Sequence, residues 1–440
     1  MAAGKLPPRR AKGMGTPENP YDVLVIGGGA SGLACALSAA RAGAAVAVLD
    51  RDVACGMPIL ATGNGRCNYS NENLDPSHYL HPDVAARVMG PEPEAGIDAL
   101  FSSLGLVGTS VGGWLYPLSR RAESVRDVLV AGCVREGATL LPAHAVRSAA
   151  RTQDGTWRIA AETPLSPLPR PKTQADEKRL RKTLRSASKR RVELCSRTLV
   201  LAAGGGTADL ASSLGLTCEP ETPVLCPLAC DCPFPVPLDG LRVHAKATLV
   251  RNGVEVAAEQ GEVLFRTYGL SGIAVFNLSR KALPGDIVEL DLACRASEKD
   301  AQELFENRAR ALGAPSGPEW YRGMFADSLA RTLWRLAETE GSLDAASLAH
   351  LACHVPFPVK GPARTTEAQV TRGGVRTDRL DLDTLESTET PGLFCCGEAV
   401  DMDADCGGYN LAWAWLSGMR AGKGAAAVSA RASERTAHTR

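Results

Sequence analysis

The chain has 440 residues, enough for two or three domains, and 45% of them are hydrophobic, which is enough to form real cores. Its 49 basic and 49 acidic residues cancel to a formal net charge of zero, which removes any global reason to expect nucleic-acid binding. The 14 cysteines are scattered through apolar segments without an exported leader. We therefore interpret them as free thiols in a reducing, cytoplasmic compartment.

The first predicted elements form a strand–turn–helix unit. After a Pro-, Gly- and Arg-rich stretch at residues 1–20, predicted to be a disordered tail, an apolar run at 23–26 predicts a strand. The run leads into GGGASG at 27–32 and then into helical spacing that ends before Gly43. A second strand at 45–49 ends on Asp50, 18 residues beyond Gly32. That separation is close to the roughly 20 residues expected for the acid that binds a ribose hydroxyl.

This spacing suits a dinucleotide. Gly27 permits a tight turn, Gly29 lets the backbone approach a pyrophosphate, and Gly32 lets the helix pack closely on the strand. The alternatives are a secretory segment or a membrane span, because residues 23–40 carry no charge and follow a basic leader. Three adjacent glycines make a poor span, and a strand ending on Asp50 would be unexplained, so the dinucleotide interpretation is favoured and no membrane association is predicted.

A basic segment occupies residues 163–191. Its run from 170 to 191 has ten basic residues against two acidic ones and lies between predicted strands at 156–160 and 199–202. We predict a solvated insertion that extends from a β-hairpin. The alternative is a docking patch for a nucleic acid or an acidic partner, which the lack of interleaved aromatic residues makes less favourable.

The middle of the chain changes character. Strands at 243–250 and 254–265 are joined through Asn252-Gly253, a strong hairpin signal, within a β-rich region at 216–296. Residues 297–353 are helical in pattern, and the Pro-rich VPFPVKGP that follows is predicted to be a return linker ending near residue 360. These regions interrupt an α/β domain composed of residues 21–215 and 361–440.

Two later stretches favour FAD over NAD. A strand at 199–202 leads into Ala203 and Gly204, and another at 393–396 ends at Gly397 and Glu398. A carboxylate just past a strand end can accept hydrogen bonds from polyol hydroxyls. A helix is predicted to begin after Gly407-Gly408, where its N-terminus can stabilise negative charge on a reduced ring. On that helix, Ala414, Gly418 and Gly422 form a small-residue face for close packing.

No metal site is predicted. The cluster CPLACDC holds Cys226, Cys230 and Cys232, but it lacks a paired C-x-x-C and a second half, so these cysteines are interpreted as core or loop thiols. The alternating acids Asp401, Asp403 and Asp405 lack the spacing and glycine of a calcium loop. We interpret them as a polar loop beside the cofactor.

Several segments together resemble a known family. They are GGGASGLACALSAARAG, ILATGNGRCNYSN, WLYPLSRRAESVRDVL, GEVLFRTYGLSGIAVFNLSR, AQVTRGGV and GLFCCGEAVDMDADCGGYNLAWAWLSGMRAG. In this order they resemble the HI0933-like flavoproteins, also described as BaiN/RdsA-type or aminoacetone-oxidase-family FAD-dependent oxidoreductases. The resemblance implies a glutathione-reductase-like Rossmann FAD domain, interrupted by a β-barrel-like and a helical insert, with one FAD per chain.

The resemblance also assigns the FAD contacts. On the ADP half they are Gly27, Gly29, Ala30, Ser31, Gly32, Asp50 and Arg51. Near the flavin or its phosphates they are Asn64, Gly65, Arg66, Cys67 and Asn68. On the pyrophosphate and ribityl half they are Gly397 and Glu398, and the chain passes close to the dinucleotide at Ala203 and Gly204. At the pyrimidine edge of the ring they are Gly407, Gly408, Tyr409 and Asn410. Cys67 is interpreted as a buried inert thiol, with a redox thiol or a covalent flavin link as the alternative.

The chain departs from the family pattern in ways that bear on the reaction. Met57-Pro58 replaces a basic pair, and Arg266-Thr267 stands where many members have Thr-His, which removes one candidate acid or base. The candidate catalytic residues are Tyr268 and Arg266, against the alternative that Tyr268 packs and Arg266 pairs at the surface. The departures favour NAD(P)H-linked reduction of an enone-type C=C bond in a small apolar substrate.

Two other reactions stay open. One is oxidation of a small amine such as an aminoketone, producing peroxide, and the other is a flavoprotein that modifies or binds a nucleic acid. Because the chain has no second G-x-G-x-x-G, NAD(P)H is expected to be a transient electron donor that visits the flavin and leaves.

Overall fold

The structure is a computed structural model, and it describes residues 14–171, 173–233, 238–365 and 368–438. Of the predicted disordered tail, residues 1–13 lie outside the described residues. Residues 14–20 take part in the fold, since the backbone N–H of Cys195 donates to the carbonyl of Gly15 at 2.9 Å. This end of the tail therefore differs from the prediction: a backbone hydrogen bond ties it to a strand of the main sheet.

The described strands are β1 (Tyr21–Ile26), β2 (Val46–Leu49), β3 (Ser70–Asn71), β4 (Gly108–Val111), β5 (Trp114–Pro117), β6 (Thr139–Leu141), β7 (Ala145–Arg151), β8 (Trp157–Pro164), β9 (Lys189–Leu201), β10 (Cys218–Val224), β11 (Leu228–Cys230), β12 (Arg242–Arg251), β13 (Val254–Arg266), β14 (Gly269–Ser271), β15 (Ile287–Asp291), β16 (Val355–Pro362), β17 (Val370–Val375) and β18 (Leu393–Cys395).

The described α-helices are α1 (Ala30–Arg41), α2 (Pro82–Met89), α3 (Pro93–Ser103), α4 (Ala122–Arg135), α5 (Gln174–Ser186), α6 (Ala208–Ser213), α7 (Ile273–Ser279), α8 (Glu298–Leu312), α9 (Asp327–Glu340), α10 (Ala345–Cys353) and α11 (Tyr409–His438).

The chain forms two compact units. One comprises the residues through Thr222 and from Thr371 onward, and the other is Pro223–Val370. In the first unit the main sheet has the order β6-β2-β1-β9-β8-β7, and β18 also pairs with β9. The pairs among β6, β2, β1, β9 and β18 are parallel. This is the predicted Rossmann-type α/β arrangement.

Helices α1 and α11 pack so closely that two glycines are required between them. A Cβ atom on Gly418 would lie 2.3 Å from the carbonyl oxygen of Ser31, and one on Gly422 would lie 2.2 Å from that of Cys35. The predicted small-residue face therefore brings α11 against the backbone of α1. Both helices belong to the core that covers the main sheet.

The second unit contains a closed antiparallel barrel in the order β11-β14-β13-β12-β15-β16. The Asn-Gly hairpin between β12 and β13 forms as predicted, with positive φ at Asn252 (52°) and Gly253 (79°). The Pro-rich segment predicted to be a return linker is instead β16, which closes the barrel by pairing with β11 and β15. Alternate side chains of β16 are buried, so Val355, Phe357 and Val359 face the core.

The β-rich and helical inserts were predicted as separate regions, but they share one core. Phe305 of α8 and Leu333 of α9 are buried in the same hydrophobic cluster as the barrel residues Leu249 and Val288. The barrel buries one surface against these helices, because neither element alone could remove its apolar face from water.

The basic segment differs from a freely solvated insertion. Its central part is α5, which begins at the N-cap Thr173 and packs on the first unit through the buried Leu180. Glu177 accepts a hydrogen bond from Arg126 at 2.7 Å, and Arg181 forms a two-nitrogen pair with Asp52. An amphipathic pattern within the charge run therefore docks one helix face and leaves the other to water.

Candidate flavin site

The carboxyl ends of four parallel strands meet at one edge of the main sheet. Ile26 pairs with both Leu49 and Leu201, and Leu201 pairs with Cys395. The segments that follow these strands carry most of the predicted cofactor residues. In an open α/β sheet this edge is where nucleotide ligands bind.

The glycines of the first turn have distinct geometric roles. Gly27 has φ of 105°, and a Cβ atom there would lie 2.3 Å from the carbonyl oxygen of Ala202. A Cβ on Gly32 would lie 1.8 Å from the carbonyl oxygen of Gly27, so helix and turn touch directly. A Cβ on Gly29, in contrast, would meet nothing nearer than the side chain of Pro58 at 4.0 Å. The space above Gly29 is open for a ligand.

Asp50 directly follows β2 and is held by backbone groups. One carboxylate oxygen accepts from the N–H of Gly28 at 2.9 Å, and the other accepts from the N–H of Asp52 at 2.7 Å. Burial raises the pKa of Asp50, although these hydrogen bonds oppose the rise. Arg51 beside it is exposed. The acid is thus fixed in orientation at the sheet edge, as a ribose-binding carboxylate must be.

The segment GNGRCN folds as a tight turn with unusual backbone angles. Asn64 has φ of 53° and Cys67 has φ of 54°, and both are non-glycine residues in the left-handed region, while the neighbouring Gly65 has φ of 81°. Such angles cost on the order of 1 kcal/mol or more each and concentrate at functional sites. Arg66 is exposed, with its guanidinium 5.8 Å from the ring centre of Tyr116.

Cys67 is inaccessible to solvent, and burial raises its pKa to about 12. A thiol in this state is a poor nucleophile, because the thiolate is the reactive form. This supports the inert-thiol interpretation over a redox or covalent role.

Glu398 lies beside the turn that follows β9. Its Oε1 accepts from the N–H of Thr371 at 2.7 Å, and burial raises the pKa of the carboxyl group. A Cβ on Gly205 would lie 2.9 Å from the same oxygen, whereas one on Gly204 would meet no atom within 4 Å. Ala203 precedes this open position. The backbone there leaves room for a ligand chain to pass beside Glu398.

Gly397 is fixed from two sides. Its N–H donates to the hydroxyl of Ser417 at 3.0 Å, and its carbonyl accepts from the indole of Trp413 at 3.0 Å. A Cβ there would lie 2.3 Å from the Oγ of Ser31, the second residue of α1, which begins at Ala30. The position of Gly397 is therefore set jointly by α1 and α11.

Each of the three alternating acidic residues in the loop before α11 contacts a different histidine or arginine side chain. Asp401 lies 3.1 Å from the Nε2 of His81, and Asp405 lies 2.9 Å from the Nδ1 of His78. Asp403 is fully buried and pairs with Arg372. The alternation is explained by polar contacts with segments distant in sequence, and it agrees with the predicted polar loop.

The first two side chains of α11 contact neighbouring segments. The side chain of Tyr409 stacks on His78, with ring centres 4.2 Å apart. The amide of Asn410 accepts from the N–H of Ala404 at 2.9 Å and donates to the carbonyl of the same residue at 2.8 Å. Both polar atoms of the Asn410 amide thus hold the preceding loop, and its role at the ring edge stays a prediction.

The glycines before α11 touch the neighbouring GNGRCNYSN segment. A Cβ on Gly408 would lie 2.4 Å from the carbonyl oxygen of Ser70, and the carbonyl of Gly407 accepts from the Nδ2 of Asn71 at 2.9 Å. Two of the predicted cofactor segments, about 340 positions apart in sequence, are thus adjacent in space.

The residues at this edge fit FAD. The Oδ1 of Asn68 is buried and accepts no hydrogen bond from the described part of the chain. A ligand N–H or hydroxyl would satisfy it, as a buried acceptor requires. The open spaces beside Gly29 and Gly204 leave room for a cofactor after β1 and after β9.

The candidate catalytic residues belong to the second unit. The ring of Tyr268 is flanked by two guanidinium groups, at 5.9 Å from Arg266 and 5.2 Å from Arg364. Arg266 also lies 3.5 Å from a carboxylate oxygen of Asp239. Arg266 therefore pairs with an acid, as the non-catalytic alternative expected, and a catalytic role for Tyr268 and Arg266 stays a prediction.

The family model for the HI0933-like protein Rossmann domain matches residues 21–166 and 172–424. The chain belongs to the HI0933-like family. It is an FAD-dependent oxidoreductase with a Rossmann-type FAD domain. Among the described residues, no helix is long and apolar enough to cross a membrane.

Two curated relatives of this HI0933-like protein carry named activities. A 3-dehydro-bile acid delta(4,6)-reductase of Clostridium scindens is 32% identical over 91% of this chain and 98% of its own length. A ribosomal RNA dihydrouridine synthase of Escherichia coli is 26% identical over 90% of this chain and 96% of its own length.

One solved structure with a similar fold is a 3-ketosteroid-delta4-(5alpha)-dehydrogenase of Rhodococcus jostii. It is 16% identical to this chain, with a TM-score of 0.49, and the match covers 96% of this chain and 100% of that one.

Sequence reasoning missed the residues that support the site from a distance. His78, His81 and Arg372 hold the acidic loop, and Thr371 holds Glu398. The D-x-D-x-D pattern was visible in the sequence, but the side chains that contact these acids lie 31 to 327 positions away from them. Only folding brings them together.

Proposed function

We propose that this protein uses NAD(P)H to reduce a carbon–carbon double bond conjugated with a ketone in a small apolar substrate. The observation that carries the proposal is the 32% identity, over nearly the whole of both chains, to a 3-dehydro-bile acid delta(4,6)-reductase. A 3-oxo group next to a delta-4 double bond is an enone, so that name describes this chemistry. The sequence has no second G-x-G-x-x-G, which supports transient binding of NAD(P)H at the flavin, followed by its release and binding of the substrate.

Bound FAD supplies the hydride chemistry. The protein must orient the substrate and deliver one proton, because reduction of an enone adds a hydride at the β-carbon and a proton at the α-carbon. Tyr268 is our candidate for the proton donor. The guanidinium groups of Arg266 and Arg364 lie 5.9 and 5.2 Å from the centre of its ring and hold positive charge beside it.

The test is an anaerobic turnover assay. NADH or NADPH should bleach the flavin, and an α,β-unsaturated ketone should restore its colour with formation of the saturated ketone. The variant Tyr268→Phe should lose about 100-fold or more in the rate of the ketone step, the usual contribution of a general acid. Its matched control, Thr267→Ala, should keep the wild-type rate.

Two results would overturn parts of this proposal. The amine-oxidase alternative would be established if neither nucleotide reduces the flavin, an aminoketone does reduce it, and peroxide is released in air. An unchanged rate in Tyr268→Phe would remove the tyrosine as proton donor and leave the reaction itself standing.

A second candidate is the reduction of uridine in RNA, favoured by the ribosomal RNA dihydrouridine synthase of Escherichia coli. The uracil 5,6 double bond is also conjugated with a carbonyl, so the two candidates need the same hydride and proton additions. The exposed basic side chains of α5, including Lys178, Arg179 and Lys182, supply positive charge that such a substrate could use.

The two candidates differ in substrate size and in whether the reaction needs the basic side chains of α5. RNA is incubated with the enzyme and NADPH, and its dihydrouridine content is measured. The RNA substrate would be favoured if dihydrouridine forms with wild type and does not form when Lys178, Arg179 and Lys182 are replaced by glutamine. Turnover of a small enone that is indifferent to this triple change would favour the first candidate.

A further inference from the structure

A cluster of histidine and glutamate side chains lies on the second unit, on elements that carry none of the candidate cofactor or catalytic residues. His350 is on α10 and His354 directly follows the end of that helix, so the two are one turn apart. Glu298 is the first residue of α8, and Glu289 is on β15. Three separate elements thus bring two imidazoles and two carboxylates together.

The geometry brings the ligand atoms toward one point. The Nδ1 of His350 is 2.8 Å from the Oε1 of Glu298, and the Nε2 of His354 is 3.4 Å from its Oε2. One ligand atom from each of these three residues lies within 4.8 Å of the others. The imidazole rings are 4.6 Å apart between their centres. Ligand atoms around a tetrahedral zinc ion, with bonds of about 2.0–2.2 Å, are a little over 3 Å apart, so small side-chain shifts would suffice.

His354 is already oriented as a metal-binding histidine. Its Nδ1 is 3.0 Å from the Oε1 of Glu289, which fixes Nδ1 as the protonated nitrogen. The other nitrogen, Nε2, is buried and makes no well-aligned hydrogen bond among the described residues, and it lies 3.4 Å from the Oε2 of Glu298, the carboxylate that would share the ion. A carboxylate on one imidazole nitrogen and a metal on the other is a recurrent arrangement in zinc sites.

The residue types select the kind of cation. Two imidazoles with one carboxylate suit first-row transition metals, whereas calcium and magnesium prefer oxygen ligands alone. His350 is 63% and Glu298 is 41% exposed at the side chain, so an ion can enter directly from solvent. Three protein ligands leave one position for water.

We propose that Glu298, His350 and His354 bind one divalent transition-metal ion, best matched by Zn²⁺, and that Glu289 is a positioning residue for His354. The ion would connect the start of α8 to the end of α10. Its role is to stabilise the second unit, and it is independent of the proposed reaction. The sequence analysis predicted no metal site, although HLACH, with two histidines four positions apart in a helical segment, was a visible signal.

The test uses the full-length, flavin-loaded protein after treatment with a chelator. Competition with a chromophoric zinc indicator should show one high-affinity Zn²⁺ per chain, and native mass spectrometry should confirm the stoichiometry. Single changes His350→Ala and His354→Ala should each weaken binding at least tenfold, and Glu289→Gln by about tenfold, as loss of an outer-shell partner typically does. Zinc should also raise the Tm of wild type, because an ion that binds only the folded state stabilises it.

Two variants separate this site from other binding. The double variant His350→Ala/His354→Ala keeps all 14 thiols, so it reports any zinc bound by cysteine. His144→Asn removes a histidine of the first unit whose Nδ1 lies 2.8 Å from the carbonyl oxygen of Pro142, and this variant should bind zinc as wild type does. Equal zinc affinity in wild type and the double variant, in protein that retains its flavin absorbance, would overturn the proposal.

Discussion

Arg372 donates to both carboxylate oxygens of the fully buried Asp403, at 2.6 and 3.0 Å, and so ties β17 to the loop that precedes α11. Because Asp403 has no access to water, the guanidinium of Arg372 takes the place of hydration in stabilising its charge. Breaking a buried pair by removing one partner is usually more damaging than the intact pair is stabilising.

We expect Asp403→Ala to lower the free energy of unfolding of the flavin domain by about 3 kcal/mol, the lower end for a broken buried pair, because Arg372 is partly exposed. Urea unfolding followed by flavin release would measure this. Asp405→Ala, whose partner His78 is closer to the surface, should cost less than about 1 kcal/mol. Equal losses in the two variants would show that burial of Asp403 is unimportant.

Replacement of Gly29 should separate folding from flavin binding. Since a Cβ at Gly29 meets no protein atom closer than 4.0 Å, Gly29→Val should fold but fill the space that the cofactor needs. The purified variant should be colourless, with a wild-type far-UV spectrum. Gly32→Val should instead fail to fold, because its Cβ would overlap the carbonyl of Gly27. A yellow Gly29→Val protein would disprove our assignment of the pyrophosphate position.

Helix α5 should contribute to stability despite its charge. Leu180 is 5% exposed, so Leu180→Ala should lower the free energy of unfolding by about 2 kcal/mol, at the low end for a buried leucine. Leu165→Ala is the matched control, since Leu165 is 59% exposed and its truncation should change little. Thermal or chemical unfolding would measure both. Identical stability of the two variants would restore the picture of a freely solvated insertion.

Stability of the second unit should depend on the protonation of His354. Burial alone lowers the pKa of His354, but Glu289 and Glu298 outweigh it and raise the pKa above the ordinary 6.5. A raised pKa in the folded state adds stability that is complete below about pH 6.5 and is lost as the pH rises through the raised value. In chelator-treated protein, the stability advantage of wild type over His354→Gln should therefore be full below about pH 6.5 and shrink as the pH rises above it. A constant difference would contradict the pairing.

The thiols should differ sharply in reactivity. Because burial raises the pKa of Cys67 to about 12 and excludes solvent, iodoacetamide should leave it unmodified in the native protein. Cys232 is exposed and should react first. Peptide mass spectrometry would give both extents. Rapid labelling of Cys67, or a flavin adduct on its peptide, would revive the redox or covalent interpretation.

The sequence by itself determined the nucleotide-binding half of this protein. The glycine turn, Asp50 and the small-residue face of α11 were readable because each feature depends on local geometry: a positive φ at Gly27, or the absence of a Cβ where two backbones touch. The Asn252-Gly253 hairpin was readable for the same reason. Each of these geometric requirements acts on a single position in the chain, so the residue type at that position reveals the requirement.

Only the tertiary structure decided the features that depend on distant partners. VPFPVKGP reads as a linker because proline removes backbone donors, yet its prolines alternate with buried residues, and pairing with β11 and β15 makes it a barrel strand. The base that each loop acid contacts, and the acid that orients His354, likewise follow from packing. Polar and charged side chains contact the groups that folding brings within a few ångströms of them. The residue types along the chain do not show which distant group that will be.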